Sequence, residues 1–419
     1  MKKSIIILFY LLTTFCWSQN NTITEIEFTG IKRCNITFLH KLLSVKKGNT
    51  LDTTLIKKDI KKLQSLVAIA NANYLLKEIN GNYKLTYQLE ENLTIIPQLN
   101  VWTVNNKLSY NIGLFEYNLF GRNIKLGGFY QNNGYDSYGG TFAAPYLFSK
   151  KWGLSAEYQN WTSEEPLYFE DLSANYRYNN ERIELLVMHE LNGKNSVALG
   201  GDLFKEKYDY KNGDDSLDAS IPRNLEQDKA MLKLVYSYDN LKYDYYLLSG
   251  FKSILNLQTV ATENNFNNLF LIGFNDFLFF KRFGLKGNFA TRIRLGLASN
   301  IDSPFAPFAL DNNLNIRGVG NTIDRGSASA VWNIEYRQTI IEKKWFVLQA
   351  NIFTDAGSWR NPGGEISEII DPDNFRIYAG GGLRFMHKKI YNAIFRIDYG
   401  YGLTDKNSGG IVIGIGQYF

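Results

Sequence analysis

The chain contains little cysteine, little proline and few histidines. Of its two cysteines, Cys16 lies in an apolar leader, so Cys34 has no partner for an internal disulfide. Proline occurs 8 times against 27 Tyr, 28 Phe and 35 Gly, which favours many β-strands over helices. The three histidines lie too far apart in sequence for a local metal motif: His40, His189 and His387.

The sequence also lacks long hydrophobic runs and a strong charge of either sign. A mean hydropathy of -0.25 excludes a bundle of membrane helices. It does not test a membrane barrel, in which only alternate residues face lipid. The net charge of +5 falls to +3 without Lys2 and Lys3 of the leader, which is too weak for a nucleic-acid-binding surface.

Signatures of catalysis are sparse. No Gly-x-Ser-x-Gly elbow is present, and Gly380–Gly382 is not followed by the helix and Lys-Ser/Thr pair of a phosphate loop. We therefore expect a protein that is not an enzyme and that needs no cofactor and no metal. A surface enzyme with a Ser/His/Asp set remains the alternative.

Residues 1–19 have the pattern of a cleaved secretory signal peptide. Lys2 and Lys3 give a basic start, an apolar run extends from Ile5 to Trp17, and polar residues follow. The run is too short to cross a bilayer comfortably. A buried N-terminal strand is the alternative interpretation.

Residues 22–97 predict a small α+β domain with its own core. An alternating strand ends at Gly30, and two segments with helical spacing of apolar residues follow, the second starting at Asp52. A turn at 80–82 then joins two further strands. The predicted order is β-α-α-β-β, with elements near 23–28, 37–43, 53–66, 72–79 and 83–90.

From residue 105 to 419 the pattern changes to period 2, with segments recurring at roughly 20-residue intervals. Trp332, Ile334 and Tyr336 alternate with Asn333, Glu335 and Arg337, and the same apolar–charged alternation runs through 285–295, 391–399 and 411–416. A dry core could not hold so many charges, whereas a water-filled lumen with the apolar face on lipid could. We predict a transmembrane antiparallel β-barrel in the outer membrane of a Gram-negative bacterium. A soluble sandwich is the alternative.

The alternation allows the strands to be counted coarsely. About 16 are predicted, an even number as in most bacterial barrels. Residues 211–228 form a surface loop in this interpretation, and a longer loop covers 299–328. The predicted strands are 107–118, 121–132, 136–147, 151–162, 167–179, 181–192, 195–210, 228–240, 242–260, 265–281, 284–298, 329–340, 345–356, 374–385, 390–400 and 410–419.

The long loop carries Asn315-Ile316-Arg317-Gly318-Val319-Gly320, and the next two strands carry Asn333–Arg337 and Phe353–Gly357. This arrangement resembles the BamA/TamA-like superfamily of outer-membrane assembly and secretion barrels. The resemblance implies that the Arg317-Gly318 tip folds into the lumen and meets acids on strands twelve and thirteen. The alternation independently places Glu335 and Asp355 on the inward face, where an arginine facing two carboxylates makes a strong charge-assisted clasp.

Two further segments fit the same superfamily. The region 22–97, with Gly48 and Leu51-Asp52 before its second helix, looks like one polypeptide-transport-associated (POTRA) domain. The segments 380–384 and 396–400 look like the last strands of the barrel. In one respect the sequence departs from the family, because Val319 stands where an aromatic residue usually follows Arg-Gly.

The resemblance implies a role in inserting or translocating polypeptides, with the POTRA domain in the periplasm. Expected partners are outer-membrane lipid, unfolded or secreted client polypeptides, and periplasmic chaperones or accessory subunits. Strand 83–90 would add a client strand by backbone pairing. The seam between 107–118 and 410–419 would open, weakened by its glycines. Phe419 would end a lipid-facing closing strand that resembles an insertion signal. The residues assigned to the seam are Gly410, Gly414, Gly416 and Phe419.

A passive pore or a structural barrel without transport activity is the second hypothesis. Val319 at the loop tip and the single small domain favour it. A steady wide-open conductance would support this alternative, and loss of particular outer-membrane or secreted proteins on depletion would support transport.

Overall fold

The computed structural model describes residues 21–419 apart from 105–106, 170–171, 214–220, 245, 264–267, 301–303, 312–313, 320–323, 389, 391–393 and 405–407. The predicted signal peptide at 1–19 lies outside the described residues. The chain divides into two compact units between Glu91 and Asn92.

The first unit has the predicted order β-α-α-β-β, as in a POTRA-like domain. Asn35 begins the first helix by accepting a hydrogen bond from the Phe38 N–H at 2.9 Å. Asp52 begins the second by accepting from the Thr54 N–H at 2.7 Å. Both are preferred N-cap residues, since their side chains satisfy N–H groups that the helix leaves free. The elements are β1 Ile23–Thr29, α1 Ile36–Leu42, α2 Thr53–Gln64, β2 Ile69–Ile79 and β3 Asn82–Glu91.

The sheet of this unit has the order β1-β3-β2, which overturns one prediction. Strand β3, predicted at 83–90 to receive a client strand, is the central strand. It pairs in parallel with β1 and antiparallel with β2, so both of its edges are occupied. Residues 48–51 cover the start of β1, where the Gly48 N–H donates to the Ile23 carbonyl at 2.8 Å. Among the described residues, β2 has a strand partner on one side only.

Asp59 ties α2 to the rest of the small domain. Its carboxylate is buried and accepts from the Ser44 N–H at 2.8 Å, the Val45 N–H at 2.9 Å and the Tyr87 hydroxyl at 3.1 Å. Burial raises the pKa of Tyr87, and the negative charge of Asp59 raises it further. Tyr87 therefore stays protonated and remains a donor to Asp59.

The last carboxylate of the domain holds the β1–α1 turn. Glu91 accepts hydrogen bonds from the backbone N–H groups of Lys32 at 3.0 Å, Arg33 at 3.0 Å and Cys34 at 2.8 Å. Partial burial alone would raise the pKa of Glu91. The hydrogen bonds from the three N–H groups lower the pKa by more than burial raises it, so it lies below its ordinary value of 4.5.

The substitution Glu91→Gln tests this turn. Because the pKa is lowered in the folded state, ionised Glu91 stabilises the turn above about pH 4.5, and this is lost as the pH falls through the folded-state pKa. We expect faster amide hydrogen exchange at residues 32–34 of the variant near neutral pH, and rates that converge with the native chain in acid. The exposed neighbour Glu90, changed to Gln, should leave exchange unaltered at every pH.

The second unit is a closed antiparallel barrel of 16 strands, as predicted. Short strand β12 follows β11 along the same side of β13 and pairs antiparallel with it, and the short pair β16–β17 lies in the loop between β15 and β18. The strands are β4 Ile95–Val104, β5 Lys107–Leu119, β6 Ile124–Asn132, β7 Asp136–Ala144, β8 Trp152–Phe169, β9 Leu172–Asn192, β10 Asn195–Gly213, β11 Asn224–Asp239, β12 Lys242–Asp244, β13 Leu247–Thr262, β14 Leu269–Phe283, β15 Gly287–Ala298, β16 Phe308–Ala309, β17 Arg325–Gly326, β18 Ala328–Glu342, β19 Phe346–Arg360, β20 Phe375–His387, β21 Ile394–Gly402 and β22 Gly409–Ile415.

The strand count was right through two compensating errors. The first barrel strand, β4, begins at Ile95 and not after residue 105; the sequence prediction missed it because Pro97 interrupts the run. The segments predicted as separate strands at 167–179 and 181–192 belong to the end of β8 and to the single long strand β9. The predicted loop 211–228 is shorter, because β10 and β11 extend into it.

The two faces of the strands follow the predicted alternation. On β18, Trp332 is 52% exposed, whereas Asn333, Glu335 and Arg337 are fully buried. The apolar side chains therefore point out of the barrel, as lipid contact requires. Around β18 the inward charges are paired and closed off from solvent, and they do not line an open channel. No helix among the described residues is long and apolar enough to cross a membrane.

Candidate functional site

The loop between β15 and β18 packs inside the barrel. Ile316 and Val319 are buried against inward side chains of the wall. Val319 is thus part of a packed apolar cluster. Gly320 lies outside the described residues. The buried cluster consists of Leu310, Ile316, Val319, Val331, Trp359 and Tyr378.

Arg317, at the loop tip, is fully buried and bonded to the two predicted carboxylates. Its Nε and Nη2 donate to Asp355 Oδ2 at 2.8 Å and Oδ1 at 3.0 Å, and its backbone N–H donates to Oδ2 at 3.0 Å. Its Nη1 donates to Glu335 Oε2 at 2.6 Å. The bidentate geometry on Asp355 makes these bonds short and directional.

A third carboxylate and two rings complete the surroundings of Arg317. Asp398 on β21 has Oδ2 3.7 Å from Nη1. The ring centres of Phe353 and Tyr418 lie 3.5 and 4.5 Å from the guanidinium carbon, so the cation is held against aromatic faces. Phe353 and Asp398 lie in segments that resemble the family, but the sequence pattern did not predict their contact with Arg317.

Further arginines join the same network. Glu335 Oε1 accepts from Arg337 Nε at 2.6 Å and lies 2.6 Å from Arg384 Nη2. Asp398 accepts from Arg384 Nη1 and Arg396 Nη1, each at 3.4 Å. Glu335 and Asp398 are therefore each paired with several arginines, whereas Asp355 is paired with Arg317 and accepts from the Asn333 amide at 2.8 Å.

Glycine is required where the loop tip approaches β21. Gly318 has φ +96°, and a Cβ atom there would lie 2.5 Å from the Gly400 carbonyl oxygen. Any side chain at Gly318 would both strain the backbone and push the loop away from the wall. The Arg317-Gly318 pair therefore combines a charged anchor with a close backbone contact.

The barrel closes between β22 and β4, and the predicted partner strand 107–118 was wrong. That segment, β5, pairs with β4 and β6. Across the seam the register joins Ile413 to Val101 and Gly414 to Asn100. A Cβ atom at Gly414 would lie 2.7 Å from Asn100 Oδ1 and 2.8 Å from Arg396 Nη2.

The last residues leave the wall, contrary to the prediction for Phe419. Strand β22 ends at Ile415, and Gly416 has φ +99°, a conformation that breaks the alternation. Tyr418 is buried against inward arginines, and the Phe419 ring lies 5.6 Å from the Arg292 guanidinium carbon. Phe419 therefore does not end a lipid-facing strand. Gly410 lies beside the loop tip: a Cβ atom at this position would be 3.4 Å from the Gly318 carbonyl oxygen.

The loop has a second anchor on the wall formed by β8 and β10. The Tyr168 N–H donates to the Pro304 carbonyl at 3.1 Å, and Arg325 forms an ion pair with Glu165. Phe305 packs on Tyr208, with ring centres 5.3 Å apart. The loop thus attaches both to β18–β21, through Arg317, and to β8–β10, and so reaches across the lumen.

Within the described part of the chain, no group of three His, Cys, Asp or Glu side chains is placed to hold a metal ion. The cluster around Arg317 consists of arginines and carboxylates that are ion-paired with one another. These ion pairs therefore have a structural role: they attach the loop to the barrel wall.

These features define an outer-membrane β-barrel with a small α/β domain ahead of it and an arginine-anchored loop in its lumen. The chain belongs to the Omp85 superfamily, whose domain matches residues 118–419. No curated protein matches the chain in sequence.

Solved structures show the same fold. BamA from Haemophilus ducreyi, lacking POTRA domains 1–3, is 16% identical with a TM-score of 0.56, over 94% of this chain and 84% of that one. CdiB from Acinetobacter baumannii is 14% identical with a TM-score of 0.60, over 95% and 74%. CdiB from Escherichia coli is 12% identical with a TM-score of 0.62, over 95% and 76%. The superfamily supports a general role in protein insertion or secretion at the outer membrane.

Removing the loop-tip cation should destabilise the barrel. Arg317→Met leaves Asp355 and Glu335 buried with fewer donors, which costs about 3–5 kcal/mol. We expect the folded band on unheated SDS gels to convert to the unfolded band at a lower temperature than in the native chain. Arg122→Met, at an exposed arginine in the β5–β6 turn, should not change that temperature.

Exchanging the charges of Arg317 and Asp355 tests whether Asp355 is the main partner of Arg317. In Arg317→Glu combined with Asp355→Arg, the new carboxylate would face Glu335 and Asp398. We therefore expect only slight recovery over Arg317→Glu alone. Full recovery would mean that Asp355 is the only carboxylate that matters to Arg317.

Proposed function

We propose that this protein inserts or translocates client polypeptides at the outer membrane, with its small domain in the periplasm. The observation that carries the proposal is the short seam. Among the described residues its register joins β22 to β4 at Ile413 and Gly414, whereas β21 and β22 pair from Phe395 to Tyr401. A wall joined over so short a stretch opens more easily there than at any long strand pair.

The seam also offers an incoming strand a place to pair. Because the chain leaves the wall at Gly416, the first residues of β4, 95–99, have no strand partner from β22 among the described pairs. Backbone N–H and C=O groups without hydrogen-bond partners are energetically costly in the hydrocarbon region of the membrane. Pairing of a client strand with this edge of β4 would satisfy them. An apolar crevice of about 280 Å³ lies beside this edge, lined by Ile95, Ile96, Pro97, Phe346, Phe385, Met386, His387, Ile390, Phe395 and Ile415.

The small domain contributes a second edge in this proposal. Strand β2, Ile69–Ile79, takes the role first assigned to β3, because it is the sheet edge without a described neighbour. Leu75 and Ile79 are exposed on it, so alternate side chains could contact an added strand while backbone groups pair.

Depletion tests the function directly. We expect that lowering the level of this protein reduces a defined set of outer-membrane or secreted proteins, measured by proteomics of membrane and medium. Native protein supplied from a second gene should restore them, whereas Arg317→Met at matched abundance should restore them less. Unchanged levels of all such proteins after depletion would remove the proposal.

The passive pore is the competing function, and the two-sided attachment of the loop argues against it. With Arg317 on one wall and Arg325 on the other, the loop obstructs the lumen. We expect low conductance for the native protein in planar bilayers. Arg325→Met should release the second anchor and give more frequent large openings, because the first anchor alone cannot hold the loop across the lumen.

The matched control is Arg122→Met, at the exposed arginine of the β5–β6 turn, which should behave as the native protein. A steady, wide-open conductance in the native protein would instead establish a pore and leave the loop attachments without a sealing role.

A further inference from the structure

The turn between β11 and β13 folds into the barrel instead of crossing directly from one strand to the next. Strand β11 ends at Asp239, which lies opposite Lys252 of β13. Beyond this pair, β12 and the first residues of β13 form a separate short hairpin. We call residues 240–250 the inward hairpin; Tyr245 within it lies outside the described residues.

A sharp bend at the base of the inward hairpin sets it apart from the wall. Gly250 has φ +120°, a conformation that residues with a side chain rarely adopt. A Cβ atom at Gly250 would lie 2.5 Å from the Asn240 carbonyl oxygen. On the other strand, the Asp239 carboxylate accepts from the Leu241 N–H at 3.0 Å and so holds a turn where β11 ends. The hairpin therefore leaves the wall at one pair of positions, Asn240 and Gly250.

The base of the inward hairpin packs on inward side chains of β14 and β15. Asn288, which is fully buried on β15, donates to the Leu248 carbonyl at 2.8 Å and accepts from the Leu248 N–H at 3.0 Å. Since β14 lies between β13 and β15 in the barrel, these bonds require the hairpin to pass over the inner face of β14. Leu241 and Leu248 also pack on a buried cluster, which consists of Leu278, Phe280 and Ala290.

The tip of the inward hairpin reaches a distant part of the wall. The Tyr246 hydroxyl donates to Glu342 Oε2 at 3.0 Å, at the end of β18. Three strands separate β13 from β19 along the wall, so this contact and the packing of the Tyr246 ring lie across the lumen. The ring packs on buried side chains of β19, β20 and β21, which are Val347, Met386 and Ile394.

All of these contacts lie at the same mouth of the barrel. Because neighbouring strands are antiparallel, β11, β14, β18 and β20 end at one mouth, and β13, β15, β19 and β21 begin there. The loop that carries Arg317 joins the end of β15 to the start of β18 at the other mouth. The inward hairpin and this loop therefore enter the lumen from opposite ends.

We infer that the inward hairpin is a hinged flap that closes one mouth of the barrel, with its hinge at Asn240 and Gly250 and its latch at Tyr246. The contacts that hold the flap are few: apolar packing, the Asn288 amide and one hydroxyl group. By contrast, β11 pairs with β13 continuously from Lys229 to Asp239. The flap can therefore leave the lumen by a local opening that breaks no pair between these two strands.

The flap adds a second closure to the barrel, in series with the loop. The loop holds the lumen from the other mouth through Arg317 and Arg325. A polypeptide or a hydrated ion that crosses the lumen must therefore displace both the loop and the flap. This inference goes beyond the proposed function, because it concerns the path through the lumen and not the identity of a client.

Amide hydrogen exchange at Leu248 tests whether the tip and the base of the flap move together. The Leu248 N–H donates to the Asn288 side chain, so it exchanges when the flap undocks. Exchange is measured on the full chain in detergent, by mass spectrometry with fragmentation to single residues. We expect Tyr246→Phe, which removes only the hydroxyl, to speed exchange at Leu248 about fivefold, since one hydrogen bond is lost. Tyr246→Ala also removes the ring packing and should speed it about tenfold or more.

Matched controls isolate the latch. Tyr399→Ala removes an exposed ring from the outer face of β21 and should leave exchange at Leu248 as in the native chain. Glu342→Met removes the acceptor of the Tyr246 hydroxyl, so combining it with Tyr246→Phe should be no faster than the faster single variant. Exchange between Lys229 and Asp239 should stay native in Tyr246→Phe, which shows that the wall is intact.

Planar-bilayer recordings test whether the flap closes the lumen. Tyr246→Ala alone should keep the low conductance of the native protein, because the loop still obstructs the lumen. Arg325→Met combined with Tyr246→Ala should open about threefold or more often than Arg325→Met alone, since both closures are then weakened.

Either of two results would overturn the inference. One is native exchange at Leu248 in both Tyr246→Phe and Tyr246→Ala, which would make the hairpin a fixed floor. The other is a double variant, Arg325→Met with Tyr246→Ala, that opens no more often than Arg325→Met. Neither measurement involves clients, so depletion tests the proposed function separately.

Discussion

The buried positive charge of Arg317 is the constraint on which the barrel interior depends. A guanidinium removed from water needs carboxylates in good geometry, and here Glu335, Asp355 and Asp398 come from three different strands. Glu335 and Asp398 also pair with other arginines, and Asp355 accepts from Asn333, so contacts join the loop tip to strands β18, β19 and β21. Loss of Arg317 would leave Asp355 without its ion-pair partner and Glu335 and Asp398 with fewer partners.

The same cation connects the loop with the seam. Tyr418, two residues beyond the turn that ends β22, lies over Arg317, and Gly318 lies against Gly400 on the adjacent strand. The loop tip and the end of the chain after β22 are thus in direct contact through an aromatic ring, and the loop tip meets β21 through its backbone. The loop also holds Arg325 against Glu165, so the same loop contacts β8 as well as β21.

The small domain shows how topology decides which surface can receive a partner. Its helices and strands follow from caps and apolar spacing that are local in sequence. The parallel pairing of β1 with β3, in contrast, buries both edges of β3 and leaves β2 at the rim of the sheet. The edge available for strand addition follows from that distant pairing and not from the hairpin that joins β2 to β3.

The sequence by itself determined the barrel, the β-α-α-β-β domain and the inward side of Glu335 and Asp355, because a two-residue period sets which face each residue takes. Tertiary structure alone decided the rest. The first barrel strand was not predicted because Pro97 interrupts its pattern. Strand β3 is central because it pairs with β1, which is distant in sequence. Asp398 and Tyr418, which contact Arg317, also lie far from it along the chain. The two-residue period predicts which face of a strand a side chain occupies, but it does not predict which strand lies beside it. The period ends at Gly416, where the backbone turns inward.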